Sequence, residues 1–164
     1  MRPGTAPPSM AAMRRTSTCT GRPQLFRHAG RDLRILIDGE RTDGGYTVVE
    51  VRTTPDAGPP PHVHTAEDEH LHVLEGELTV TVGDAEHTLG PGDELTLPRE
   101  VPHHVRASTE DARYLTVCTP SGLETFLRAT REDEDDTPIS PDDFAAHIAG
   151  AGLRYLPRAA ARPA

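Results

Sequence analysis

The chain has 164 residues with 17 Lys and Arg against 26 Asp and Glu, a formal net charge of -9, 35% apolar residues, 4% aromatics and no Trp. That length suits one domain with a single aliphatic core, and an acidic chain without clustered cations argues against nucleic acid as a partner, because a phosphate backbone needs a basic face. No run approaches the roughly 20 apolar residues that span a bilayer. Cys19 and Cys118 do not make a disulfide framework, so a cytoplasmic protein with no membrane partner is expected.

Residues 1–24 are rich in Pro, Thr, Arg and small residues without apolar periodicity, which predicts a disordered leader. The leader lacks the apolar stretch of a secretory signal, and Met10 and Met13 are alternative starts. From Asp32 onward, short Val, Ile, Leu and Thr segments alternate with Gly, Pro and Asp punctuation, the pattern of an all-β sandwich or barrel. Strands are expected at 33–38, 46–52, 69–75, 77–82, 86–89, 93–98, 103–107 and 113–119. Glu75-Gly76 and Gly83-Asp84 are hairpin signals, and "GPGD" at 90–93 places Pro and Gly at the centre of a type II turn. The strands should be largely antiparallel.

After Thr119 the period becomes helical. Ser121 with Glu124 matches a capping box ahead of Leu123, Phe126 and Leu127. The run "REDEDD", 131–136, reads as a solvated linker, because like charges repel and stay extended. Ser140 as N-cap, Pro141 at the first helical position, Asp142 and Asp143 predict a second helix stopped by Gly150 or Gly152. The expected organisation is a leader at 1–24, a barrel at 25–120, a helical extension packed on it at 121–157 and a frayed tail at 158–164.

The chemistry concentrates in "PPPHVHTAEDEHLHVLEGEL", residues 59–78. Alternate side chains of an extended segment share a face, so His62 and His64 project together and supply half of a metal site. Glu69 opens the next strand with Leu71 and Val73 on its side, which turns His70 and His72 to the opposite face. A bulge would be needed to bring His70 inward. A further ligand must come from another strand, and "PREVPHHV" offers His103 or His104, of which only one can face the pair.

These residues resemble the two motifs of the cupin superfamily. Gly58, His62, His64, Glu69 and Gly76 follow the first motif, with three rather than five residues between Gly58 and His62. Gly92, Pro98 and His103 follow the second, with Glu100 where Gly is usual and Ala107 where Asn is usual. "CTPSGLETFLRAT" is similar to the segment that closes small single-barrel cupins of the quercetin 2,3-dioxygenase-like group.

The resemblance implies a conical double-stranded β-helix, a jelly-roll barrel, with short C-terminal helices. It also selects His103 over His104 and implies that His62, His64, Glu69 and His103 hold one divalent transition metal ion (Fe, Mn, Ni, Co or Zn). The implied activity is a metal-dependent dioxygenase acting on an aromatic or enolisable small molecule, with Glu69 both ligand and catalytic base. Tyr46, Phe126, Val73, Val80 and Leu97 are candidate apolar walls. Two alternatives accompany this reading: a non-redox cyclase or isomerase of polyketide type, using His70, His72 or His104 to move protons, and a small-molecule-binding cupin that is not an enzyme. Relatives of this kind commonly form homodimers, which would cover an exposed sheet edge.

Overall fold

The computed structural model describes residues 25–132 and 139–156. The expected leader at 1–24, the acids at 133–136 and the tail at 158–164 lie outside the described residues.

Among the described residues eleven strands and two helices follow in chain order: β1 (Leu25–His28), β2 (Arg31–Ile37), β3 (Thr47–Thr53), β4 (His62–His64), β5 (Asp68–Glu75), β6 (Leu78–Val82), β7 (Ala85–Leu89), β8 (Glu94–Leu97), β9 (His103–Ala107), β10 (Ala112–Thr119), α1 (Leu123–Ala129), α2 (Pro141–Gly150) and β11 (Leu153–Tyr155). A single 3-10 turn at Gly39–Arg41 precedes β3. Two antiparallel sheets form, one in the order β1-β2-β3-β10-β5-β8 and the other β11-β4-β9-β6-β7. The fold is all-β, a jelly roll of two facing sheets with short helices after the last long strand.

Period-two alternation explains the inner faces. β3 buries Thr47, Val49, Val51 and Thr53, β10 buries Ala112, Tyr114, Thr116 and Cys118, and β5 buries Glu69, Leu71 and Val73, while the residues between them turn outward. The opposite sheet contributes Leu78, Val80, Leu89 and Ala107 to the same apolar cluster. Leu71, Leu78, Val49 and Val80 are completely excluded from solvent, so truncating any of them costs both transfer energy and a cavity.

Turn chemistry sets the registers. Gly92 takes φ 91° and the Asp93 N–H donates to the Gly90 carbonyl at 3.0 Å, the type II geometry expected of "GPGD". Ala29 and Gly30 both take positive φ in the tight turn that pairs His28 with Arg31, a hairpin geometry matched to strand twist. Glu100, standing where the cupin motif has Gly, does adopt a left-handed φ of 63°. Its N–H donates to the His64 carbonyl at 2.8 Å and its carboxylate accepts from Arg154 at 2.9 Å, two bonds that hold the turn. Ala107, in place of Asn, is buried opposite Leu78.

Several expectations need correction. β1, β4 and β11 are strands beyond the eight expected. The three residues of β11 pair with β4 and make the C-terminal extension part of the second sheet rather than purely helical. Helix α1 is capped at Gly122 without a side-chain bond, not at Ser121. Glu124 makes only the backward half of a capping box, accepting from the Gly122 N–H at 2.9 Å, and also takes the Gly39 N–H at 3.0 Å and the Thr47 hydroxyl. Its carboxylate therefore ties α1 to the 3-10 turn and β3. Helix α2 does carry the predicted cap, with Ser140 Oγ accepting from the Asp143 N–H at 3.1 Å and Pro141 at its start. Within "REDEDD", Glu132 is exposed, as expected, but is also bonded to the barrel. Its carboxylate accepts from the N–H groups of Ala29 and Gly30 at 2.7 and 3.3 Å, fastening the β1–β2 hairpin.

The expected hairpin at Glu75-Gly76 is instead a crossing from β5 in one sheet to β6 in the other, and Gly76 shows how little slack that crossing has. It sits at φ 72°, and a Cβ there would lie 2.3 Å from the Asp111 carbonyl oxygen and 2.8 Å from Ala112 Cα, both backbone atoms. Gly92 has a similar φ but nothing within 4 Å of an added Cβ. Urea unfolding should therefore show Gly76→Ala losing about 2–4 kcal/mol, strain plus overlap, and Gly92→Ala losing only about 1 kcal/mol, strain alone.

Candidate metal centre

Strand β4 lies between β9 and β11, with His62 directly opposite His103 on one side and Tyr155 on the other. His62, His64 and His103 thus converge from one sheet. Glu69 reaches them from β5 of the facing sheet, at the end of the inward row it shares with Leu71 and Val73. Ring centroids are 4.5 Å apart for His62–His103, 5.2 Å for His62–His64 and 5.3 Å for His64–His103. One donor atom from each of the four residues falls within 4.8 Å of every other, and all four residues are buried.

The outward atoms of these side chains decide what the inward atoms can do. His62 Nδ1 lies 3.0 Å from the Pro60 carbonyl and His103 Nδ1 3.1 Å from the Val101 carbonyl. A carbonyl only accepts, so both Nδ1 atoms carry hydrogen and the neutral rings present an Nε2 lone pair. His64 Nδ1 meets Glu67 Oε2 at 3.0 Å, a carboxylate with the same effect. Glu69 Oε1 accepts the Thr116 hydroxyl at 2.5 Å, and Oε2 is left 3.4 Å from His103 Nε2 and 3.7 Å from His64 Nε2.

His103 Nε2 is completely buried and has no hydrogen-bond partner. A buried lone pair without a partner is costly, and three imidazoles fixed from behind by acceptors are the arrangement that orients ligands toward a metal. Donor separations near 3.4 Å also match two ligands that each stand about 2.1 Å from a shared ion. The residues present fit a divalent transition metal.

Charge is arranged accordingly. Burial would raise the Glu69 carboxyl, but the facing His103 ring, His64 and the Thr116 hydroxyl together outweigh it and hold the group well below the usual carboxylate range. Burial drives His62 down to about 3, reinforced by the charges of His103 and His64. His64 moves the other way: burial lowers it, but the Glu67 hydrogen bond and the charges of Glu69 and Glu67 raise it overall.

The four residues expected from the sequence to be ligands are the four whose donor atoms the fold brings together. His70 is exposed and bonded to Thr96 at 2.6 Å, His72 shares its outward face, and His104 alternates away from His103. The β5 register shift lies opposite Arg113 and Tyr114, too far along to turn His70 inward. None of these three histidines can serve the proton-moving role of the cyclase alternative. Of the five candidate walls only Phe126 lines the cavity beside the cluster; Tyr46 is exposed, and Val73, Val80 and Leu97 are core.

Sequence reasoning missed Glu67, Thr116, His28, Arg31, Tyr114 and Tyr155. Glu67 stands three residues after His64, a spacing visible in "HTAE". The others come from strands whose partners only the fold assigns. His28 bonds to the Thr130 carbonyl at 3.1 Å, and Tyr155 sets its ring edge-on to His62 at 5.9 Å between centroids.

Two facing antiparallel sheets with three imidazoles and one carboxylate inside define a jelly-roll barrel with a buried site able to hold a metal. A family model described as "Cupin domain" matches residues 49–118, the span from β3 through β10. Residues 49–118 thus carry a cupin domain, in keeping with the two motifs and the facing sheets. Quercetin 2,3-dioxygenase of Bacillus subtilis is 30% identical over 95 residues, 58% of this chain and 28% of that protein, so the chain spans less than a third of that relative's length. KdgF from Halomonas sp. superposes with a TM-score of 0.56 at 20% identity, over 62% of this chain and 90% of its own. An RmlC-like cupin from Shewanella frigidimarina gives 0.54 at 19% identity, over 63% and 88%. Identities this low show a shared fold. Among the described residues no helix is long and apolar enough to cross a membrane.

Two measurements check this account. Glu67→Gln should weaken zinc or manganese binding about 10- to 100-fold in equilibrium dialysis, with the melting temperature of the metal-free protein nearly kept. In that metal-free protein, His62 has a folded value near 3 against about 6.5 when unfolded, so the unfolded state takes up the proton first and stability falls as pH drops below about 6.5. Between pH 6.5 and 5 the loss from this one group is about 2 kcal/mol. His64, raised, acts in the opposite sense. Urea midpoints at the two pH values should move less in His62→Gln than in the wild type.

Proposed function

We propose that the chain binds one divalent transition metal ion through His62, His64, Glu69 and His103 and acts as a dioxygenase on a small enolisable molecule. The observation that carries this reading is the uniform tautomer arrangement: three Nδ1 atoms tied outward, three Nε2 lone pairs turned inward, and a carboxylate facing them. The 30% identity to a quercetin 2,3-dioxygenase over the barrel supports the oxygenase class. When bound, the ion supplies Lewis-acid polarisation of a substrate oxygen and, if redox-active, access to O₂ chemistry.

The protein's own groups do the rest. Thr116 fixes Oε1 of Glu69, which leaves Oε2 as the atom that meets an incoming hydroxyl. Because its surroundings favour the ionised form, Glu69 accepts a proton only from an acidified hydroxyl, such as that of an enol. Leu33, Val51, Val105, Phe126, Leu127 and Leu153 give the cavity an apolar wall that excludes water. The cavity is only about 50 Å³, against the roughly 300–1,000 Å³ typical of sites for drug-sized ligands. That size favours a substrate of few heavy atoms over a polycyclic flavonol.

The test is elemental analysis of untagged protein followed by O₂ uptake with a simple 1,3-diketone and with quercetin. Metal at about one ion per chain and uptake faster with the diketone are expected. Glu69→Gln should lower turnover at least 100-fold while lowering metal content much less. A metal-replete protein that consumes no O₂ with either compound would overturn the dioxygenase reading, and equal loss of metal and turnover in Glu69→Gln would leave that residue a ligand only.

A further inference from the structure

Arg31 opens β2 on the same inward face as Leu33 and lines the cavity that contains the four-residue cluster. A cation in a barrel interior needs a counter-charge or a full set of acceptors. Arg31 has neither. Its Nε is completely buried without a hydrogen-bond partner, and Nη1 makes only a long bond to the Tyr114 hydroxyl at 3.4 Å. Among the described residues no carboxylate pairs with it. The β1–β2 hairpin that carries it is nonetheless fastened twice, by Glu132 on the turn and by His28 on Thr130, so the backbone under this half-buried guanidinium is held while its N–H groups other than the one on Tyr114 lack a protein acceptor.

Its position relative to the cluster is set by β10. Tyr114 and Thr116 share the inward face two residues apart, about 7 Å along a strand; Tyr114 touches Arg31 and Thr116 holds Glu69. Tyr114 feels both ends, since burial raises its phenol, Arg31 lowers it and the charge of Glu69 raises it. The cavity is therefore cationic at one end and donor-rich for a metal at the other, with about 50 Å³ between apolar walls. A guanidinium edge with free N–H groups is the geometry that takes a carboxylate bidentately, and the neighbouring phenol can add a third donor.

We propose that Arg31, assisted by Tyr114, anchors the carboxylate of the substrate, so that the barrel takes a small acid whose other end meets His62, His64, Glu69 and His103. This rests on the reading of the barrel interior as the reaction site, and narrows the enolisable substrate to one that carries a carboxylate a few bonds from the reacting oxygen.

Calorimetric titration of the full chain, metal-loaded and metal-free, with malonate and with its neutral isostere malonamide tests it. In both forms the wild type should bind malonate at least 10-fold more tightly than malonamide. Arg31→Met should weaken malonate about 10- to 100-fold, with malonamide affinity and metal content unchanged, and Arg31→Lys should fall between. Tyr114→Phe should show a smaller loss of malonate affinity. Should Arg31→Met fail to fold, Arg31→Lys and Arg31→Gln carry the comparison. Malonate affinity that is the same in the folded variants as in the wild type, or no preference over malonamide, overturns the anchor. Arg31-dependent malonate binding by a protein that takes up no metal would sustain the anchor and sink the metal-dependent reaction instead, whereas metal uptake and O₂ consumption with Arg31-independent binding would sink the anchor alone.

Discussion

A buried, ionised carboxylate held among three imidazoles is the constraint on which the site depends. Glu69 is almost wholly withdrawn from water, and its charge persists there only because His103, His64 and Thr116 face it. The imidazoles in turn keep their inward lone pairs only because two carbonyls and Glu67 occupy their outer nitrogens. Removing any outer partner frees a ring to flip or change tautomer. The arrangement is a closed set of mutual conditions whose donor set fits a divalent ion.

Because three of these residues sit on one sheet and the fourth on the other, both sheets must keep register for the donors to meet. A one-residue slip in β5 would replace Glu69 by a neighbour of the opposite face. The fold guards against this with long antiparallel pairing of β5 to β10, the tight left-handed turn at Gly76 that ends β5, and the Glu100 turn that bonds back to His64. Gly122 adds a local condition. A Cβ there would approach Glu67 to 2.7 Å, so the start of α1 leaves room for the carboxylate that orients His64.

The walls of the cavity come from a second layer of constraints. The β1–β2 hairpin, α1 and β11 bring His28, Arg31, Phe126 and Tyr155 over the cluster, and none of them lies in either metal-binding motif. They are tied down by carboxylates acting on backbone: Glu124 on Gly39 and Gly122, Glu132 on Ala29 and Gly30. The motifs thus define what the centre can hold, and these outer segments define what can reach it. One fold can host many reactions for this reason.

The sequence by itself determined the inward faces of the long strands, because side-chain period two is a local property: Glu69 with Leu71 and Val73, and His62 with His64, are separated from His70 and His72 by parity alone. It also determined the Ser140 cap of α2 and the "GPGD" turn, whose signals lie within four residues. Choosing His103 over His104 required the family motif, since either parity was open. What only the tertiary structure decided were relations across long stretches of chain: β11 against β4, Glu132 on a hairpin 102 residues earlier, Glu124 on Thr47, and Arg31 beside Tyr114. A three-residue strand has no periodicity to read, and a carboxylate or guanidinium in a polar segment looks solvated until the fold chooses its neighbours.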